Sequence, residues 1–146
     1  MADEIQYCTF YLGDQFFGVE VEKVQEVFRY QEMTQIPLSS SVVRGLINLR
    51  GQIITAIDLR RRLGMNDLPE DEKPMNVVIR TNDDVVSLLV DRIGDVLQVS
   101  LDNFEPTPDT ISGITRELVR GVYKLKGQLL LIIDTEKTIE TQFLVT

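Results

Sequence analysis

Carboxylates are the most plentiful side chains here that could do chemistry. There are 23 Asp and Glu against 15 Lys and Arg, and no histidine. Two convergent carboxylates can act as acid and base in glycosidic hydrolysis. The dense acidic runs are Glu70-Asp71-Glu72 and Asp83-Asp84. Both sit among turn-forming residues, where solvated loop charge is the ordinary role. Without histidine, the commonest general base and the commonest metal ligand are missing. Cys8 is the single cysteine. Beside Thr9 in a strand-like run, it reads as a small core residue rather than a nucleophile, and no cysteine cluster can hold structural zinc. There is no GxxxxGK[ST] or GxGxxG to cradle a phosphate. No catalytic residue, metal or cofactor is expected. A small β-barrel hydrolase using paired carboxylates is the enzymatic alternative, ranked below binding.

Charges suited to recognition are easier to find. Arg50 stands between Leu49 and Gly51 at the tip of a strand pair, where its guanidinium fork can meet a partner carboxylate or simply be solvated. Glu26 and Val24 lie in Glu22-Lys23-Val24-Gln25-Glu26-Val27. Val27 is expected to face the core; Val24 reads equally as core or as an exposed apolar contact. Arg60-Arg61-Arg62 reads as a solvated helix face, because the chain carries a net charge of −8. That balance argues against nucleic acid or an anionic membrane as the main partner.

The elements that must position these residues occur twice. Val43 to Asp58 returns as Val119 to Asp134, 76 residues on, with Val, Arg, Gly, Leu, Gly, Gln, Ile and Asp recurring in place. Upstream, Val21 to Phe28 is echoed by Val90 to Leu97 at an offset of 69, with matching charge signs at three positions. The second copy is therefore longer between the two blocks, in a stretch holding Pro106 and Pro108 that reads as a surface loop. An internal repeat of this kind decides the architecture. The first repeat spans about 6–66, the second about 75–141, and 67–74 is an acidic, Pro-containing linker. Each copy is near the lower limit for folding alone, so the halves should pack into a single domain over 6–141.

The coarse structure reads as mostly β. Tyr7 to Leu12, Gly13-Asp14 and Phe16 to Val21 form a hairpin, repeated by Val77 to Ile79, Asn82-Asp83-Asp84 and Val85 to Val90. A second hairpin turns around Gly51 and is repeated around Gly127, each glycine supplying positive φ. Asp58 and Asp134 cap short helices. Ser41 to Arg44 reads as a helical turn ended by Gly45. Several short strands per copy predict small barrels. Ile53-Ile54 and Val85-Val86 lack alternation, as strands buried on both faces do. A hydrophobic fraction of 43% suits a globular chain. No apolar run is long enough for a membrane helix, the acidic start does not read as a signal peptide, and one cysteine suits a reducing cytoplasm.

Lys23-Val24-Gln25-Glu26-Val27, Arg44 to Ile54 with its Asn48-Leu49-Arg50-Gly51 segment, Ile57-Asp58-Leu59-Arg60, Phe10 to Val19 and Leu89 to Val96 together resemble the CheW family of chemotaxis coupling proteins. The likeness runs from about Gln6 to Thr138. It implies two pseudo-symmetric SH3-like five-stranded β-barrel subdomains with short helices. It also implies a non-enzymatic cytoplasmic adaptor, recruited to membrane-bound receptor arrays without touching the membrane. Such an adaptor bridges the hairpin tips of methyl-accepting chemoreceptors to the regulatory domain of a CheA-like histidine kinase. By resemblance, Val24, Glu26, Arg44, Gly45 and Arg50 match receptor-binding positions in a groove between the subdomains. Ile36, Pro37 and Leu38 are candidates for the kinase face, with core packing the equal alternative. A CheW-like adaptor of a pilus or gliding system, or the regulatory domain of a CheA-like kinase on its own, would share the fold.

Overall fold

The computed structural model describes residues 3–37, 40–81, 84–140 and 143. Ten strands form in chain order: β1 (Glu4–Leu12), β2 (Gln15–Glu20), β3 (Val24–Phe28), β4 (Val43–Leu49), β5 (Gln52–Asp58), β6 (Met75–Thr81), β7 (Asp84–Val90), β8 (Arg92–Ser100), β9 (Val119–Leu125) and β10 (Gln128–Ile133). Three short α-helices accompany them among the described residues: α1 (Leu59–Arg62), α2 (Gly113–Leu118) and α3 (Thr135–Thr138). Asp58 caps α1 by accepting from the Arg61 amide, and Asp134 caps α3 by accepting from the Lys137 amide. The extra length of the second copy is not all loop: α2 forms within it and buries Leu118.

The strands make two five-stranded sheets, β8-β1-β2-β10-β9 and β3-β6-β7-β5-β4. Each sheet takes strands from both repeats. This corrects the expectation that each copy folds into its own barrel. The antiparallel pairs β1–β8 and β3–β6, and the parallel pairs β2–β10 and β5–β7, all join one repeat to the other. Replacing every strand of one sheet by its repeat counterpart reproduces the order of the other. Neither sheet is a closed barrel. Instead the chain after β3 crosses to the opposite margin, where Thr34 exchanges backbone hydrogen bonds of 2.9 and 2.8 Å with Leu46 of β4. After β8, Glu105 does the same to Val122 of β9, at 2.9 Å each way.

Alternation along the strands divides the apolar side chains among three cores. Phe10, Leu12, Phe17, Val19, Leu131 and Ile133 of one sheet meet Val77, Ile79, Val86, Leu88, Val90 and Ile57 of the other in a shared core. The intervening residues turn the opposite way. Tyr7, Phe16, Leu130 and Ile132 fill the hollow of the first sheet, and Ile54, Ala56, Val78 and Leu89 that of the second. Strands that are apolar on both faces follow from this three-layer arrangement. Each fully buried side chain of this size contributes about 1.5–3 kcal/mol, so the shared core binds the sheets firmly.

Polar contacts reinforce the joint. Arg60 of α1 grips Asp91, with Nε to Oδ1 at 2.8 Å and Nη2 to Oδ2 at 2.6 Å, and the Gly13 amide donates to the same carboxylate at 2.6 Å. Arg62 donates to the carbonyls of Thr138 and Lys137 at the end of α3, both at 2.9 Å. One expectation fails on β3. A bulge between Val24 and Glu26 sets the alternation so that Val24, Glu26 and Phe28 are half-buried, while Val27 is 44% exposed rather than in the core.

Candidate functional site

The β4–β5 hairpin is closed by two residues, Arg50 and Gly51, between the paired Leu49 and Gln52. Arg50 has φ +52° and Gly51 φ +88°. Positive φ at both positions is the pattern of a type I′ turn, whose twist matches the flanking strands. Arg50 is the one non-glycine residue with positive φ among the described residues. The Asn48 side-chain carbonyl accepts from the Gly51 amide at 2.9 Å and braces the turn from outside the strand ladder.

From this turn Arg50 reaches Glu26 on β3. Nη1 donates to Oε2 at 2.5 Å and Nη2 to Oε1 at 3.0 Å, a parallel bidentate pair. β3 and β4 are opposite margins of one sheet, so the pair spans the mouth of a curled sheet. The Arg50 side chain is 74% exposed and that of Glu26 is 23% exposed. The Glu26 hydrogen bonds, and then its charge, raise the guanidinium above its ordinary value. Both terminal nitrogens thus donate within the molecule, where the sequence offered either a solvated turn cation or a fork open to a partner carboxylate.

The other expected site residues are placed as follows. Val24 is half-buried against the shared core at the head of β3. Arg44 is drawn away to Asp58, Nη1 to Oδ2 at 3.0 Å, and neutralises a carboxylate that is 5% exposed and caps α1. Gly45 lies within β4 at a bulge, which corrects the expectation of a helical turn ended by this glycine. A Cβ there would stand 2.6 Å from the Thr34 carbonyl oxygen, and Gly121 sits equally tight under Glu105 and Phe104. Glycine recurs at this repeat position because the crossing segment passes directly over it. Ile36 is half-buried against the shared core, Pro37 is exposed, and Leu38 lies outside the described residues.

Two neighbours of Arg50 were not read as site residues, and the exposure of Ile53 corrects the expectation that its strand is buried on both faces. Asn48 is exposed and shapes the turn. Ile53, its cross-strand partner, is 57% exposed and places an apolar surface beside the charged pair. The repeat itself carried the signal for Asn48: its counterpart is Lys124, which has no acceptor atom to offer.

Of the acidic runs, Glu70-Asp71-Glu72 and Asp84 are exposed, and Asp83 lies outside the described residues. Asp58 and Asp91 are taken up by arginines. Among the described residues no cluster of three or more His, Cys, Asp or Glu could hold a metal ion. A polar cleft of about 310 Å³ lies between α1 and the segment Asp67 to Pro74. Its arginines, Arg44, Arg60 and Arg61, are paired with Asp58, Asp91 and Asp67. No described helix is long and apolar enough to cross a membrane.

Two curled sheets, each built from strands of both repeats, with a braced charged turn on one rim, define a β-protein whose exposed chemistry suits recognition. The family model described as the CheW-like domain matches residues 6–143, and the chain belongs to that family. It is 34% identical to a probable chemotaxis protein CheW of Rhizobium etli, over 90% of this chain and 84% of that one. It is 32% identical to the chemotaxis protein CheW of Rhizobium meliloti, over 94% and 88%. The crystal structure of the scaffolding protein TtCheW from Thermoanaerobacter tengcongensis superposes with a TM-score of 0.81 at 27% identity, covering 92% of this chain and 90% of that one.

Proposed function

We propose that this protein is a non-enzymatic adaptor of chemotaxis. It couples the cytoplasmic hairpin tips of methyl-accepting chemoreceptors to the regulatory domain of a CheA-like histidine kinase. The observation that carries the reading is the Glu26–Arg50 pair on a braced turn, in a chain of the CheW-like family. The receptor surface comprises Val24, Glu26 and Arg50 with Ile53, while Gly45 and Arg44 act by holding β4 in place. A receptor tip is helical, and an apolar strip flanked by a compensated charge pair suits one face of a helix. Glu26 and Arg50 then set register more than affinity.

Ile36 and Pro37 belong to the kinase face in this reading, because their segment runs from β3 across to the margin of β4. The curled sheets are taken as two pseudo-symmetric SH3-like subdomains of one domain over 6–141; the identical strand order supports this. The protein works in the cytoplasm, at receptor arrays. No chemistry is needed: signal output follows from differential contacts in two kinase states.

The test is kinase binding and autophosphorylation with the chain added, with and without receptor fragments from the same genome. Binding with receptor-dependent stimulation is expected. Absence of binding to every CheA-like kinase of that genome overturns the proposal.

A further inference from the structure

We propose that Asn48 is a positioning residue for the Arg50 surface: its side-chain carbonyl selects the turn that aims the guanidinium at Glu26. The internal repeat supplies the comparison. The two hairpin tips read Asn48-Leu49-Arg50-Gly51-Gln52 and Lys124-Leu125-Lys126-Gly127-Gln128. Both close with two residues between a paired leucine and glutamine, and both have glycine at positive φ, +88° and +84°. They differ at the preceding residue. Arg50 is at φ +52°, whereas Lys126 is not among the positive-φ residues. The second tip thus has the φ signs of a type II turn and the first those of type I′.

Asn48 accounts for the difference. Its Oδ1 accepts from the Gly51 amide at 2.9 Å, a bond that holds Gly51 in place and leaves Arg50 to adopt the left-handed conformation. Lys124 carries only donors and can make no such bond. The consequence reaches across the sheet. Arg50 meets Glu26 in a bidentate pair, while among the described residues their counterparts Lys126 and Asp95 form no ion pair. The same hairpin without the asparagine presents its cation differently. Asn48 touches no partner in this account; it acts through Arg50, and its bearing on receptor binding rests on the function proposed above.

The test uses the isotopically labelled full chain. Asn48→Ala should speed exchange of the Gly51 amide by about tenfold, the scale of one solvent-exposed hydrogen bond. It should also move the Arg50 Nε–Hε resonance to where Glu26→Gln puts it. Asn48→Asp, which keeps an acceptor oxygen, should restore both signals. Glu26→Gln alone should leave the Gly51 amide protected, so the turn does not depend on the ion pair. An unchanged Arg50 resonance in Asn48→Ala overturns the proposal. If that variant fails to fold, Lys124→Asn decides: slowed exchange at Gly127 supports the role, and no change overturns it. Affinity for a receptor fragment is a separate arm. Weakened binding in Asn48→Ala, rescued by Asp, supports both readings. A displaced Arg50 with unchanged affinity leaves the positioning role standing and overturns the receptor reading alone.

Discussion

The guanidinium of Arg50 and the carboxylate of Glu26 face each other in a parallel two-bond pair, although they stand on opposite margins of the same sheet. The sheet must curl for them to meet, and the pair then bridges its mouth. An exposed pair of this kind adds little stability. Its geometric cost, a non-glycine residue at positive φ, fits a surface feature shaped for contact. Arg50→Glu should therefore leave the melting temperature nearly unchanged and weaken binding of a receptor-tip fragment by about tenfold or more, as loss of an interface arginine does. Binding to the kinase regulatory domain should stay within about twofold of wild type on the affinity scale. Lys126→Glu should alter neither. Calorimetric titration of both variants against both partners checks this, and equal losses at the two positions would refute the assignment.

Gly45 and Gly121 are expected to behave differently from Arg50. A methyl group at either would press on the backbone carbonyl of a crossing segment, Thr34 at 2.6 Å or Glu105 at 2.7 Å. Backbone yields less readily than a side-chain tip, so Gly45→Ala and Gly121→Ala should each destabilise the fold by about 1–3 kcal/mol. Urea unfolding measures this directly. Receptor affinity corrected for the folded fraction should change little in Gly121→Ala, which lies in the other sheet.

What could be read in the sequence divides along physical lines. The hairpins were legible because Gly13-Asp14 and Arg50-Gly51 are local turn chemistry. So were the Asp58 and Asp134 caps. The strand exchange was not. Val77 to Ile79 pairs with β3 and β7, yet nothing in a strand apolar on both faces names its neighbour. Val27 was misplaced because one bulged residue, Gln25, reverses every side chain after it. The meeting of Glu26 with Arg50 depends on sheet curvature, which no pattern of residue types encodes. Gly45 was misread since its constraint comes from Thr34, a segment packed over it in space.

Asp91 should make stability depend on acid. Burial works to raise its pKa, but the Arg60 hydrogen bonds, the Gly13 amide and the arginine charges outweigh it, and the net shift is downward. A carboxyl group with a depressed folded-state pKa stabilises the fold fully above its unfolded value, about 3.9. That contribution fades as pH falls through the lower folded-state value. The Asp91 side chain is 10% exposed and that of Arg60 16%. Asp91→Asn should therefore cost about 1.5–3 kcal/mol at pH 7, the range for hydrogen bonds to a charged group. Denaturant titrations of wild type and variant from pH 7 to pH 2.5 should give a constant gap down to about pH 5, narrowing below. A gap that widens toward low pH would contradict the sign.

The exchanged strands make the last prediction. Cutting the chain in the linker at Leu68 leaves β1 to β5 in one fragment and β6 to β10 in the other. Alone, the first fragment has β1–β2 and β4–β5 as isolated hairpins and β3 without its partner β6. Such hairpins are marginal in water, and half of the shared core would be missing from each piece. Neither fragment should give a dispersed amide spectrum by itself. Mixed, they should recover it, because four of the strand ladders and the whole shared core run between them. If either fragment folded alone into a stable β-unit, each repeat would be self-sufficient and the exchanged topology would be wrong. Recovery only on mixing would show that the repeat is a unit of sequence and the sheet a unit of structure.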